Sequence, residues 1–252
     1  MASRFLFWAI VISFALFLVS KNDEILMSFA NKSVEGTDYI TTSNYANPQL
    51  KYYYFIPSSL EHNTKNAYYP VIVMVPGLSG IGQDLAKPFV KNFAEKNGFI
   101  IIAPTFIGDL NNWESKTSYQ YPDAWSGNAL LKILETFSDN KKITISKLYM
   151  FGFSAGAQFS LRFTLSHPNI VQACASNGNG GLIIPSSRNN VKYFITVGNA
   201  DEQVRKDNAA NFMYAAKILG LSAAYKEYPE GHALSDEQIN DGLEFFRLAK
   251  AQ

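Results

Sequence analysis

A single cysteine stands in this 252-residue chain, Cys174, so no disulfide can form within it. There is no Cys-x-x-Cys pair and no cluster of His with Cys, which argues against zinc sites of the common kinds. The three histidines, His62, His167 and His232, lie far apart. An excess of one charge is missing too. The 22 basic and 21 acidic residues leave a net charge of +1 with no basic stripe, so nucleic-acid binding has no support. No apolar run reaches the roughly 20 residues that a spanning helix needs. No internal repeat, low-complexity tract or linker marks off a second domain.

What is present describes a folded protein. Hydrophobic residues make up 47% and charged residues 17%, enough for one domain with a large core. Aromatics stand at 14%, and tyrosines gather in segments that read as loops. Cys174 sits inside the apolar strand-like run Ile170–Ala175 and reads as a small buried hydrophobe.

The amino end reads as a targeting segment. Arg4 precedes the uncharged, largely apolar run Phe5–Val19, and Lys21-Asn22-Asp23-Glu24 follows. A run this short suits a signal peptide better than a spanning helix, although no clear cleavage site follows it, and an uncleaved anchor is the alternative. In either case Arg4 keeps the amino end cytoplasmic and the domain is exported; it touches a membrane only through residues 1–30, and only where that segment stays uncleaved. Asn31-Lys32-Ser33 is a glycosylation sequon, relevant only in a eukaryotic secretory pathway. Residues 31–49 are polar and read as an irregular lead-in, with the folded domain at 50–252.

From Leu50 onward strands and helices alternate. Leu50–Ile56 is tyrosine-rich and strand-like, and residues 57–70 form a polar turn. Val71–Val75, Phe99–Ala103, Leu148–Phe151, Val171–Ala175, Val191–Val197 and Ala223–Tyr228 are apolar runs of strand length, as expected for strands buried on both faces. Between them the pattern predicts helices over 83–97, from a cap at Asp123 to about Phe137, over Ala155–His167, over 204–219 ended by Gly220, and over Ser235–Lys250. Such alternation implies a mostly parallel, doubly wound sheet in a three-layer α/β fold.

The most informative stretch is Gly152-Phe153-Ser154-Ala155-Gly156, between a strand and a helix. A G-x-S-x-G turn there lifts one serine hydroxyl clear of the backbone, and its glycines allow chain segments to approach closely. Read without its context, Ser154 is a capping serine in a tight connection. The context adds Asp201 just past one strand and His232 just past the last. In a doubly wound sheet, ligands and catalytic groups collect outside the carboxyl ends of the strands, so the three residues should emerge at one edge. Serine is a poor nucleophile until a base takes its proton, and a buried carboxylate fixes the tautomer of that base. Asp201 could instead cap the helix that follows, and Glu202 is its competitor. His232 could be a turn residue. His167, before Pro168 at a helix end, reads as structural, and His62 lies in a polar loop.

Gly152–Gly156, the Gly-x-x-Asp-x-x-Val segment Gly198–Val204 and Gly231-His232 together resemble the α/β-hydrolases of the esterase type, close to the polyhydroxybutyrate-depolymerase and dienelactone-hydrolase-like branches. The resemblance covers roughly residues 50–250. It implies a serine esterase with Ser154 as nucleophile, Asp201 as acid and His232 as base, with no cofactor and no metal. It also implies backbone N–H donors from Leu78 and Ala155 for the oxyanion. Many relatives carry His-Gly before the oxyanion residue, where this chain has Pro76-Gly77. Dienelactone hydrolases proper use a cysteine nucleophile, which Ser154 replaces here. The segment 176–190, where many relatives insert a cap, is short, so no large lid is expected. Trp113, Tyr119, Tyr121 and Trp125 lie after the strand Phe99–Ala103; they either line a substrate cleft or pack the loop onto the domain. The expected substrate is a small-molecule or polymeric ester. The same machinery also serves serine peptidases, thioesterases and acyltransferases, and a hydrolase-fold binding protein would keep the pocket without turnover.

Overall fold

The computed structural model describes residues 33–41, 49–60, 68–78, 80–107, 115 and 117–251. The expected targeting segment, Asn31 and Lys32 of the sequon, His62 and Trp113 fall outside them. The strands are β1 (Val34–Thr41), β2 (Gln49–Ile56), β3 (Tyr68–Val75), β4 (Ile100–Pro104), β5 (Thr144–Phe153), β6 (Val171–Asn177), β7 (Lys192–Gly198) and β8 (Ser222–Tyr228). The helices are α1 (Gly82–Leu85), α2 (Pro88–Asn97), α3 (Gly127–Lys141), α4 (Ala155–Ser166), α5 (Gln203–Leu219) and α6 (Asp236–Lys250).

The strands form one sheet in the order β1-β2-β4-β3-β5-β6-β7-β8. β1 and β2 run antiparallel at one edge, and β2 pairs antiparallel with β4. Every other pairing is parallel. Side chains of period two sort the central strands between two apolar layers. Val71, Val73, Val75, Ile100, Ile102, Met150, Cys174, Tyr193 and Ile195 face α3, α4 and α5 through Ile133, Phe137, Phe159, Phe163 and Phe212. Ile72, Met74, Ile101, Tyr149, Phe151, Ala173 and Ala175 face α2 and α6 through Val90, Ala94, Ile239, Leu243 and Phe246. The sheet therefore has helices on both faces, the three-layer arrangement that the alternating pattern predicts. Among the described residues no helix is long and apolar enough to cross a membrane.

Three local expectations need correction. The segment 31–49 is not wholly irregular: Val34–Thr41 pairs along its full length with β2. Its side chains are mostly exposed, so the pairing rests on the backbone and gives little hydrophobic signal. The helix expected over 83–97 is two helices. Lys87 adopts φ −56°, ψ 159°, because a residue before proline is driven out of the helical region. Asp123 does not cap a helix. It lies within a wide turn, Pro122–Ser126, in which the Gly127 N–H reaches back to the Pro122 carbonyl, and α3 starts after it. By contrast, Ser235 caps α6 with a reciprocal capping box to Gln238.

Cys174 is fully buried in β6, and burial pushes its thiol up to about 12. A thiol reagent such as Ellman's should therefore read no free thiol in the native protein and one per chain in denaturant. Rapid labelling of the native chain would contradict this packing.

Candidate active site

The turn at Ser154 is strained and heavily supported. Ser154 has φ 55° and ψ −116°, a conformation that costs a non-glycine residue about 1–3 kcal/mol. The turn is held by the Ser154 N–H, which donates to the Asn177 carbonyl at 2.9 Å, and by the Gln158 N–H, which closes α4 onto the Ser154 carbonyl at 3.1 Å. A Cβ on Gly156 would strike the carbonyl oxygens of Val75 and Pro76, and one on Gly152 would strike the Gly156 carbonyl. The two glycines thus let α4 pack onto the ends of β3 and β5, which aims the serine away from the sheet.

The strand ends beside it are laced together by a side chain that sequence reading missed. Asn177, fully buried, donates from Nδ2 to the Gly152 carbonyl at 3.0 Å and accepts at Oδ1 from the Thr196 hydroxyl at 2.7 Å. One amide thereby fixes β5, β6 and β7 relative to one another. An Asn at the end of a strand, after Ser176, carries no recognisable signal on its own.

Asp201 and His232 arrive from the next two strand ends. The Asp201 N–H donates to the Gly198 carbonyl at 3.1 Å, and the Ala200 N–H to the Glu230 carbonyl at 3.1 Å, so the two loops brace each other. Tyr228, at the end of β8, is buried and donates its hydroxyl to Asp241 on α6 at 2.6 Å, which anchors the His232 loop from below.

These elements bring the three residues into one hydrogen-bonded line. His232 Nε2 lies 2.9 Å from Ser154 Oγ, and His232 Nδ1 lies 2.9 Å from Asp201 Oδ2. A carboxylate only accepts, so Nδ1 carries the proton toward Asp201 and Nε2 is left to accept from the serine hydroxyl. The Phe153 ring stacks on the imidazole at 5.0 Å and 23°, a contact absent from the sequence reading. The Asp201 side chain is 2% exposed and that of His232 is 32% exposed. A buried acid behind a base that opens to solvent suits proton transfer at the outer end. Glu202, the competitor, has a side chain 68% exposed and pairs instead with Arg205 at 3.2 Å.

Leu78 and Ala155, expected as backbone donors, lie in the segments that flank Ser154. A Cβ on Gly77 would sit 3.4 Å from Ser154 Cβ, so the Gly77-Leu78 backbone passes close to the serine. The Leu78 side chain packs against the core. Ala155 is the first residue of α4, and the first-turn N–H groups of a helix have no acceptor within it. Among the described residues no group of three or more His, Cys, Asp or Glu is placed to hold a metal ion.

The loop aromatics divide. Tyr119 does not line a cleft. It is 1% exposed, stacks on Phe106 at 5.3 Å and donates its hydroxyl to the Pro76 carbonyl at 3.0 Å, which pins the loop leading to Leu78. Tyr121 is half-buried under the Arg162 guanidinium, 4.2 Å from the ring centroid. Trp125 is half-buried, meets Phe106 edge-on at 5.8 Å and donates Nε1–H to the Thr117 carbonyl at 2.6 Å. His167 stacks on Phe163 at 4.4 Å at the end of α4, a structural role.

The sheet order, with a strained serine after β5, an aspartate after β7 and a histidine after β8, is that of an α/β-hydrolase fold. No family model matches the chain. A feruloyl esterase B from Thermothelomyces thermophilus is 26% identical over 129 residues, a match spanning 50% of this chain and 43% of that relative, so less than half of its length. Among solved structures, a ferulic acid esterase superposes at TM-score 0.64 with 14% identity, covering 88% of this chain and 99% of the other. An S-formylglutathione hydrolase from Staphylococcus aureus superposes at TM-score 0.65 with 12% identity, covering 86% and 98%. The chain has the α/β-hydrolase fold shared by these structures.

The close approach at Gly156 yields a sign test. Helix propensity alone says that Gly156→Ala gains about 1 kcal/mol. The collision with the Val75 and Pro76 carbonyls says that it loses roughly 1–3 kcal/mol. Thermal unfolding should show a Tm lower by roughly 2–12 °C. A Tm at or above that of the parent would refute the geometry.

Proposed function

We propose that the chain is a serine hydrolase of carboxylic esters that works through an acyl-enzyme. The observation that carries this reading is the Ser154–His232–Asp201 line, with 2.9 Å at each step, built on a strained turn at the carboxyl edge of the sheet. Ser154 Oγ attacks the ester carbonyl while His232 Nε2 takes its proton. Asp201 holds the imidazole and stabilises its protonated form. The backbone N–H groups of Leu78 and Ala155 stabilise the tetrahedral oxyanion. Collapse breaks the bond to the alkoxy group, to which His232 returns the proton. Water then attacks the acyl-enzyme, giving a proton to His232, and the second collapse breaks the bond to Ser154 Oγ, which takes that proton back from His232 as the acid leaves. No cofactor takes part.

The named relatives guide the choice of substrate. The feruloyl and ferulic acid esterases make hydroxycinnamate esters the first substrates to test. The S-formylglutathione hydrolase makes a thioester the second reading. Phe153, half-buried against His232, is an aromatic surface beside the serine on which a hydroxycinnamate ring could stack.

A fluorophosphonate probe should label the wild-type chain and leave Ser154→Ala unlabelled. p-Nitrophenyl and hydroxycinnamate esters should turn over well above peptide anilides. Ser154→Ala and Asp201→Asn should each lower ester turnover by about three orders of magnitude or more. Glu202→Gln should have a much smaller effect. Leu78→Pro deletes a proposed donor and should cost about 3 kcal/mol of transition-state stabilisation. An unlabelled wild type, or a folded Ser154→Ala that keeps its activity, would sink the reading.

We further propose that the domain is exported, on the strength of Arg4 and the apolar run Phe5–Val19. Mass spectrometry of the exported protein should find a new amino end between Ser20 and Ser33. An intact Met1 in the membrane fraction would mean an anchor, and a cytoplasmic product would overturn the proposal.

A further inference from the structure

Arg205 stands out because its local position works against it. It is the third residue of α5, in the first turn, where the partial positive charge of the helix end disfavours a cation. Its side chain is nevertheless only 16% exposed. Three partners account for this. Nε lies 3.4 Å from Asp201 Oδ1, the oxygen turned away from His232, and 3.2 Å from Glu202 Oε2. Nη1 donates to the Gly178 carbonyl at 3.0 Å. Gly178, at φ +64°, sits against the imidazole; a Cβ there would lie 3.3 Å from His232 Cε1.

We infer that Arg205 is a positioning residue for the Asp201–His232 pair, bracing the acid's loop against the Gly178 backbone that backs the imidazole and moderating with its charge how strongly Asp201 stabilises the protonated base. The inference rests on the serine-hydrolase reading. Its two parts are separable. The brace needs the planar fork of arginine, which spans two loops at once, whereas the electrostatic part needs only a cation beside the carboxylate. Opposing charges do not obscure the second part. The β5 turn presents the uncharged Ser154 and Phe153 to His232, and β6 presents the Gly178 backbone. The β7 loop and α5 present Asp201, Arg205 and the exposed Glu202; Lys206 donates to the Asn199 carbonyl at 3.2 Å. Glu230 lies in the histidine's own loop. In the first turn of α6, Asp236 pairs with Lys87 at 2.6 Å and Glu237 with Lys226 at 3.0 Å.

The sign follows directly. Removing the cation leaves the carboxylate's attraction for the imidazolium unopposed, so a higher pH is needed before the base is free. In Arg205→Met the acidic limb of kcat/KM should move up by about half a pH unit or more. In Arg205→Lys the limb should stay within a small fraction of that shift from wild type, while kcat falls because the tie to Gly178 is lost. NMR titration of the His232 ring in the same variants should show the same displacement without requiring turnover. An inactive wild type would therefore sink the esterase reading yet leave this inference decidable. A limb and ring titration unmoved or lowered in a folded Arg205→Met, with or without loss of activity, would overturn the inference, as would an equal displacement in Arg205→Lys.

Discussion

The close approach of α4 to the ends of β3 and β5 is the constraint on which the rest of the site depends. A helix can follow a central strand this abruptly only where no side chain intervenes, and Gly152 and Gly156 leave that space. The consequence is geometric. The strand end cannot relax into the usual basin, Ser154 is held at φ 55°, and its side chain is lifted off the sheet. The carbonyls of Val75 and Pro76 that a Gly156 side chain would strike belong to the chain leading into Leu78. One contact thus sets both the serine and the segment proposed to hold the oxyanion, and Tyr119 locks that segment from the other side through the Pro76 carbonyl.

A second layer of order comes from the sheet itself. Parallel strands end on one edge, so the loops after β5, β6, β7 and β8 converge there without any long insertion. Backbone hydrogen bonds within each strand pair do not by themselves tie three strand ends together beside the 2.9 Å His232–Ser154 contact. Asn177 supplies that tie by bonding to β5 and β7 at once. The gradient of exposure completes the arrangement. A carboxylate 2% exposed is a strong, fixed electrostatic partner, and the imidazole beside it, 32% exposed, opens to solvent.

What was legible in the sequence follows from what each feature depends on. The central strands are buried on both faces, so their apolar runs are unmistakable, and the serine turn shows because the backbone geometry demands glycine. The Gly-x-x-Asp-x-x-Val resemblance put Asp201 ahead of Glu202, and Asp201 is the carboxylate that lies against His232. β1 was not: its stability comes from backbone pairing with β2, and its side chains are mostly solvated. The break before Pro88 was a missed rule, since Pro88 itself announces it. The role of Tyr119 was hidden, because composition cannot tell an aromatic that lines a cleft from one that pins a loop. Asn177 and Arg205 were hidden more deeply. Each acts through partners distant in sequence, and neither residue type signals that by itself.

Arg205 shows how local disadvantage can mark tertiary purpose. A cation in the first turn of a helix is locally unfavourable, and a mostly buried guanidinium is costly unless its donors are met. Here the first cost is offset by Asp201 and Glu202, and the second by the Gly178 carbonyl as well. No other residue type meets all three partners. Lysine has the charge without the fork, and glutamine has donors without the charge. A residue that is poor for its helix but well matched to two loops is better explained by what the loops must do than by the stability of the helix, and what these loops share is the imidazole between them.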